Sequence, residues 1–306
     1  MRRFLLLFAL APLLASGAAA APRRAPAPPP PTPATWEIAD ADTRITLFGT
    51  VHALPRGVDW FRPHIVAALD SADRLVLETL PPDGAAMQPL LLRLARLPAP
   101  RPLLLRVPDT SRPALKAALD RLKPPPLDGW KTWYAALLLT NLQAEADGLD
   151  PRIGVEAVLA ERARLRGRPI EGLETVEQQL IYFDALPEAD QVRMLEATVD
   201  ELPASRARTT AMITAWTAGD TAALAAEINA GFDRSPMLKQ LLVNDRNERW
   251  AAWIAQRMQD TKGHMFVAVG AGHLAGPGNL LDRLAAYGIR ATRTPAPAPP
   301  VPKRRR

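Results

Sequence analysis

The stretch Ile45-Thr46-Leu47-Phe48-Gly49-Thr50-Val51-His52 is an apolar, β-prone run that breaks at a glycine and reaches a histidine three residues later. The same frame recurs in Met265-Phe266-Val267-Ala268-Val269-Gly270-Ala271-Gly272-His273. With 17 glycines and 4 histidines among 306 residues, random placement gives roughly 0.2 Gly-x-x-His matches. We therefore interpret both stretches as strands that end in functional histidine loops.

The segments after the two histidines are also alike. After each loop, a short helical pattern leads to a second apolar run, at Arg74–Leu77 in the first case and Gly288–Thr292 in the second. The pattern predicts two copies of a unit made of a strand, a Gly-x-x-His loop, a helix and a strand. Because parallel strands joined by helices end at the same edge of a sheet, we expect His52 and His273 to converge there.

Helical patterns dominate the region between the two units. They cover residues 128–147, 192–216, 221–232 and 237–259, and one short strand is predicted at Gly167–Leu173. The aromatic residues of this region fall at helical spacing, which favours a role in the core. The sequence therefore predicts an α/β fold, partly α+β-like. Its small mixed or parallel sheet has about five or six strands, and a large helical middle layer covers it.

The two ends of the chain differ from its centre. Residues 1–21 have the charged start, apolar core and small-residue zone of a secretory signal peptide. A Pro/Ala-rich linker follows at 22–34, a domain at 35–294 and a Pro-rich basic tail at 295–306. We expect a periplasmic or secreted protein. The apolar core of the signal is too short for a stable membrane span, which needs ~20 residues.

Composition excludes several classes of protein. The chain has no cysteine, so disulfides, thiolate metal sites and cysteine catalysis are excluded. Eight of its 38 basic residues lie in the two ends, which contain no acidic residue, so the remainder carries 30 basic and 32 acidic residues. A nearly neutral domain gives no support to nucleic-acid binding. We expect a peptide or small-molecule substrate as the partner.

The histidine loops suggest a metal site. His52, His273 and Glu78, which follows the run Arg74–Leu77, supply two imidazoles and a carboxylate, a donor set that leaves a coordination position open. We predict a divalent ion, zinc, manganese or cobalt, for this site. Glu174 and Glu156 are candidates for a general base, and Arg246 is a candidate clamp for a substrate carboxylate, or else a member of an ion pair.

Two alternatives stay open. Without a metal, His52 paired with Glu78 could act as a general base while His273 polarises the substrate. Alternatively, the protein captures a peptide or haem without catalysis. The chain contains no Gly-x-Ser-x-Gly elbow, no His-Glu-x-x-His helix and no phosphate loop. The remaining histidines are assigned to packing or to the surface at His64, and to the start of a strand, away from the site, at His264.

At these residues the chain resembles the TraB/GumN family. The matching segments occur in order over most of the domain and are Phe48–His52, Leu75–Glu78, Gly172–Gln179, Asp245–Trp250 and Val269–Pro277. The resemblance implies a two-half α/β fold with both Gly-x-x-His motifs at one site. It links the chain to Tiki-type metal-dependent proteases and, more distantly, to erythromycin-esterase-like hydrolases and haem-binding lipoproteins, although this chain has no lipidation cysteine.

Carried over by position, His52, Glu78 and His273 match the family's site residues, and Glu174, Arg246 and Asn247 are secondary matches. The resulting hypothesis is a periplasmic metal-dependent hydrolase that cleaves peptide or amide bonds. In it, His52, Glu78 and His273 bind the metal, and Glu174 and Arg246 are catalytic. Membership of a family does not by itself establish an activity.

Overall fold

The computed structural model describes residues 31–80, 84–232 and 236–294, which form a six-stranded mixed sheet with helices on both faces. The predicted α/β class, small mixed sheet and large helical middle are confirmed. The predicted signal peptide, most of the linker and the basic tail lie outside the described residues. The strands are β1 (Thr35–Ala39), β2 (Thr43–Thr50), β3 (Arg74–Thr79), β4 (Ile170–Glu174), β5 (Gly263–Gly270) and β6 (Thr292–Thr294).

Helices contain most of the described chain. They are α1 (Pro63–Ser71), α2 (Gly84–Ala95), α3 (Arg112–Leu122), α4 (Thr132–Ala146), α5 (Val155–Leu165), α6 (Val176–Asp184), α7 (Glu188–Glu201), α8 (Ser205–Ala218), α9 (Thr221–Phe232), α10 (Pro236–Lys239), α11 (Asp245–Asp260) and α12 (Leu280–Ala286). Within the described ranges, none of these helices combines the length and the apolar character that crossing a membrane requires.

The strand order places the two histidine loops side by side. The order is β4-β3-β5-β2-β1-β6, with β2, β5, β3 and β4 parallel and β1 antiparallel to both of its neighbours. The strands β2 and β5 pair over their whole length, from Thr43 opposite Gly263 to Thr50 opposite Gly270. Both strands are almost continuously buried, as expected for parallel strands covered on both faces.

Two hydrophobic layers cover the sheet and a third joins the helices of the middle region. On one face, Phe48 and Phe266 pack against α1, α5, α8 and α9. On the other face, Leu47 and Val267 pack against α11 and α12. A separate cluster holds α3, α4 and α7 together around Leu139. The sheet is therefore fixed from both sides, and its strand ends form a rigid edge.

Several predicted boundaries need correction. The short helical pattern predicted after the first histidine loop is α1, which begins at Pro63, because proline fits the first turn, where its missing N–H is not needed. The pattern 192–216 is two helices, α7 and α8, separated by a 3-10 turn at Leu202–Ala204. Pro203 lies in that turn and cannot donate the hydrogen bond that a continuous helix requires.

The last helix and the last strand also differ from the prediction. The pattern 237–259 contains a π-helical turn, Gln240–Asn244, between α10 and α11. The strand predicted at Gly288–Thr292 lies further along, at Thr292–Thr294. Gly288 instead follows the end of α12 with a φ of +73°, a conformation that glycine adopts at helix ends.

Candidate active site

The ends of the four parallel strands bring the predicted site residues to one edge of the sheet. Glu78 is the penultimate residue of β3 and Glu174 is the last residue of β4. His52 follows β2 by two residues, and His273 lies in the 3-10 turn Ala271–Leu274 that follows β5. The predicted convergence at the C-terminal edge is the arrangement in which α/β proteins place their sites.

Arg246, from α11, holds two of the carboxylates together. Its Nη2 donates to Oε2 of Glu78 at 2.5 Å, and its Nε donates to Oε2 of Glu174 at 3.0 Å. All three side chains are at most 8% exposed. Burial raises the pKa of Glu78, but Arg246, the two histidines and the Gly270 N–H together outweigh burial and lower that pKa to about 2. Arg246 is therefore a member of a buried ion-pair cluster.

His273 is buried and neutral. Its Nδ1 lies 2.7 Å from Oδ1 of the fully buried Asn247, and its Nε2 lies 3.2 Å from Nη1 of Arg246. Because the guanidinium can only donate, this geometry places the ring proton on Nδ1 and the lone pair on Nε2. Burial lowers the pKa of His273 to about 4. The ring centroid lies 4.4 Å from that of Trp250, which limits its rotation.

His52 differs from His273 in both exposure and pKa. Its side chain is 73% exposed, and its Nδ1 lies 2.6 Å from Oε1 of Glu156 in α5. The Thr50 hydroxyl donates to the same oxygen at 2.5 Å. The hydrogen bond to Glu156 is the main cause that raises the pKa of His52 to about 9. His52 is therefore an imidazolium at neutral pH, with its carboxylate partner held in place.

Gly270 is the point around which the three predicted metal ligands are arranged. A Cβ at this position would lie 3.0 Å from Oε1 of Glu78, 3.6 Å from Cδ2 of His273 and 4.0 Å from Nε2 of His52. The Gly270 N–H also donates to Oε1 of Glu78 at 2.5 Å. Glycine is needed here because a side chain would fill the space that the three groups face.

Two imidazoles and one carboxylate are donor types that divalent metals accept, and the contacts that support them are of the kind found around such ligands. Each histidine has its Nδ1 held by a side-chain oxygen, the outer contact that commonly orients a metal-binding imidazole. Oε1 of Glu78 lies 3.6 Å from Nε2 of His273. As the side chains stand, the described residues contain no group of three or more His, Asp or Glu placed to hold a metal ion. The guanidinium of Arg246 supplies the positive charge that neutralises the Glu78 carboxylate.

Sequence reasoning missed two contacts that define the site. The carboxylate partner of His52 is Glu156, not Glu78 as the metal-free alternative supposed, and Glu78 pairs with Arg246 instead. Gly154 allows this contact, because a side chain there would overlap the carbonyl oxygen of His52 and hold α5 away. The second missed contact comes from Gln179 of α6, whose amide reaches Oε2 of Glu78 at 3.3 Å.

The surroundings of Glu174 also bear on its predicted catalytic role. Its Oε2 accepts from Arg246, and its Oε1 accepts from the Tyr182 hydroxyl at 3.2 Å. Arg249 lies 3.5 Å from the same Oε1. Since each oxygen already has a donor, the geometry favours a role for Glu174 in positioning Arg246.

Comparisons with known proteins show the family of this chain. The model of the TraB/PrgY/gumN family matches residues 34–293, and the chain belongs to that family. It is 24% identical over 256 residues to the uncharacterized protein YbaP of Escherichia coli K12, covering 82% of this chain and 92% of that protein. It is 25% identical over 240 residues to YbaP of Shigella flexneri, covering 78% and 86%. No solved structure gives a significant match.

Proposed function

We propose that this protein is a metal-dependent hydrolase that is exported to the periplasm and cleaves peptide or amide bonds. The observation that carries the proposal is the paired setting of two imidazoles beside one carboxylate. His52 and His273 are each held at Nδ1 by a side-chain oxygen, which leaves both Nε2 atoms on the side of Glu78 and Gly270. Two imidazoles and one carboxylate are the donor set of many catalytic metal sites.

The surrounding residues orient the three donor side chains and balance their charge. Glu156 and Asn247 orient the two rings, and the Gly270 N–H holds Oε1 of Glu78. Arg246 balances the charge of Glu78 and keeps it ionised in a buried position. Lewis-acid activation of water and of the scissile carbonyl is the chemistry that a bound zinc, manganese or cobalt ion would supply.

Metal binding tests the proposal directly. The mature protein is purified, stripped with a chelator, and titrated calorimetrically with zinc, manganese and cobalt in separate experiments. We expect about one ion per chain for one of these metals, as in sites of this donor set. The substitutions His52→Ala, Glu78→Gln and His273→Ala should each weaken binding at least tenfold. His64→Ala is the matched control, because His64 lies on α1 away from the site.

Two results would contradict the proposal. One is a wild-type protein that takes up no metal after reconstitution. The other is metal affinity that survives unchanged in the His52 or His273 variant. Circular dichroism melting of each variant separates lost binding from lost folding. Peptide cleavage by the reconstituted protein is then measured with a pool of internally quenched peptides, with Glu78→Gln as the inactive reference.

Hydrolysis without a metal is a second candidate, and the position of Arg246 favours it. The guanidinium already supplies a cation to Glu78 and donates toward Nε2 of His273. In this reaction His52 must be neutral to accept a proton from water. Because Glu156 raises the pKa of His52 to about 9, the rate of the chelator-treated protein should rise with pH through that value. A flat profile between pH 7 and pH 10 would rule out this candidate.

A further inference from the structure

The outer edge of β4 is the open side of the sheet nearest to the candidate site. In the described part of the chain β4 pairs only with β3. The Leu75 N–H donates to the carbonyl of Pro169 at 3.0 Å. Because bonding alternates along a parallel pair, the backbone N–H and C=O groups of Ile170, Gly172 and Glu174 face away from β3. They can therefore pair with an added strand.

A groove lies beside this strand end. It has a volume of roughly 740 Å³ and is lined by the last three residues of β4, by α2 and by the start of α6. Its walls include Leu80, Pro89, Leu90 and Val176, and the rim carries a salt bridge of 2.8 Å between α2 and α6. The volume lies in the range of small-molecule and peptide pockets, and the walls are mainly apolar.

Gly172 lines this groove without a side chain of its own. The residue is exposed, although it lies in a strand. A Cβ at this position would lie 3.1 Å from the backbone oxygen of Glu174 and 3.3 Å from the backbone N of Leu80. The approach of these backbone atoms of the same chain explains the glycine, and the exposure of Gly172 leaves the strand edge accessible beside the groove.

The groove borders the candidate active site at Glu174. Glu174 forms part of its wall and is bonded to Arg246, which is bonded to Glu78. A chain that lies along β4 in the direction of its C-terminal end is therefore led to the edge where His273 and Glu78 lie. The groove and the site therefore share the buried carboxylate of Glu174.

We propose that the substrate is a polypeptide in extended conformation that binds as an added strand along the outer edge of β4. This inference rests on the proposed hydrolase function and names its class of substrate. A strand lies about 4.8 Å from its neighbour and presents N–H and C=O groups in alternation, which matches the groups of β4 that face away from β3. The apolar groove receives its alternate side chains, as in other cases of strand addition.

Binding of a peptide probe, measured without cleavage, tests the inference. The probe is a fluorescein-labelled pool of mixed-sequence decapeptides, and binding is followed by fluorescence anisotropy with the metal-free protein. Ala86 is exposed on α2 and lines the groove, so Ala86→Trp should fill the groove and weaken binding at least tenfold. Ala114→Trp, at an exposed alanine on α3, is the matched control and should bind as the wild type does.

A second probe tests the backbone pairing itself. The same pool with N-methyl groups on alternate amides loses half of its donors, and we expect it to bind wild-type protein at least tenfold more weakly. The unmodified pool should slow hydrogen exchange of the backbone amides of residues 170–174. Equal binding by both pools, or unchanged affinity in Ala86→Trp, would overturn the inference.

The outcomes separate this inference from the proposed function. Peptide binding that Ala86→Trp removes, together with no cleavage by the wild type, would support the groove and contradict hydrolysis. Cleavage that Ala86→Trp leaves unchanged would support hydrolysis and contradict the groove. Light scattering adds a third arm: a dimer that Ala86→Trp dissociates would make the groove a contact between two copies of the chain and overturn the peptide assignment.

Discussion

The two Gly-x-x-His loops share a sequence frame and a sheet edge, and their histidines have opposite properties. His52 is 73% exposed and is held by the charged Glu156, whereas the His273 side chain is 8% exposed and is held by the neutral Asn247. One pKa is raised to about 9 and the other is lowered to about 4. The motif therefore specifies the position of the histidine, whereas burial and the partner of Nδ1 specify its charge.

The largest expected loss of stability comes from replacing Arg246, which contacts the second histidine loop. Arg246 bonds Glu78 and Glu174 and faces His273, and no hydrogen bond joins it to His52 among the described residues. Arg246→Met leaves two buried carboxylates without their cation, and should destabilise the fold by about 3–5 kcal/mol. The measurement is the free energy of unfolding in urea.

Arg249→Met provides the matched control for this change. The Arg249 side chain is 49% exposed, so its contact with Glu174 should contribute about 0–1 kcal/mol. If both arginine variants lose the same stability, the buried cluster does not have the role that its geometry indicates.

The first glycines of the two motifs should respond differently to a methyl group. At Gly49 a Cβ would lie 3.0 Å from Cα of Ala271, a backbone atom, so Gly49→Ala should cost about 1–3 kcal/mol. At Gly270 the Cβ would meet Oε1 of Glu78, a side-chain atom. Gly270→Ala should therefore cost less stability than Gly49→Ala but weaken metal binding more.

Gly231→Ala is the control for both substitutions. A Cβ at Gly231 would find only a side-chain nitrogen of Arg208, at 3.7 Å, and alanine is the better helix former. Urea unfolding and metal titration of the three variants check the expected order. Normal metal binding by Gly270→Ala would contradict a metal site beside Gly270.

Removing the two histidines should also have unequal effects on stability. His273→Ala leaves the fully buried Asn247 without a partner for its Oδ1, which should cost about 1–2 kcal/mol. His52→Ala removes an exposed ring whose ion pair with Glu156 is screened by solvent, and should cost at most about 1 kcal/mol. Thermal unfolding of the two variants side by side measures the difference, and equal losses would contradict the contrast in burial.

The smallest expected effect is the dependence of stability on pH between about 5.5 and 8.5. Because the pKa of His52 is raised, its contribution is present below the unfolded value of ~6.5 and falls as pH rises toward about 9. Because the pKa of His273 is lowered, its contribution is present above that unfolded value and falls as pH drops toward about 4. Stability should therefore be greatest near the unfolded pKa.

Glu156→Gln sharpens this last test. It removes the charge that raises the pKa of His52, so that pKa should move toward its ordinary value and the alkaline slope should flatten. The acid slope, which belongs to His273, should be unaffected. Imidazole NMR titration of wild type and variant follows each ring separately, and an unshifted His52 would contradict the assignment to Glu156.

Local patterns were sufficient for much of the architecture and for the site's location. Apolar runs that end in Gly49 and Gly270 predicted the two parallel strands, because a strand buried on both faces needs an unbroken apolar sequence. The rule that parallel strands end at a common edge then predicted where His52, Glu78 and His273 meet. Element ends were less predictable, as at Pro203, where the helical pattern continues through a residue that breaks the helix.

Contacts between distant segments were the part that local patterns could not supply. Glu156 lies 104 residues from His52, and Arg246 lies 168 residues from Glu78. Nothing in the spacing of these residues distinguishes a carboxylate that neutralises an arginine from one that orients a histidine. Their pairing depends on how α5 and α11 pack against opposite faces of the sheet.

The family, the class of fold and the identity of the residues at the sheet edge could all be predicted from the amino-acid sequence. These properties follow from periodicity, glycine breaks and motif order, which are encoded over short stretches of chain. The tertiary structure was needed to show that His52 is charged, that His273 is neutral and that Arg246 joins Glu78 to Glu174. Protonation and ion pairing depend on burial and on neighbours at a few ångströms, and folding alone brings those neighbours together.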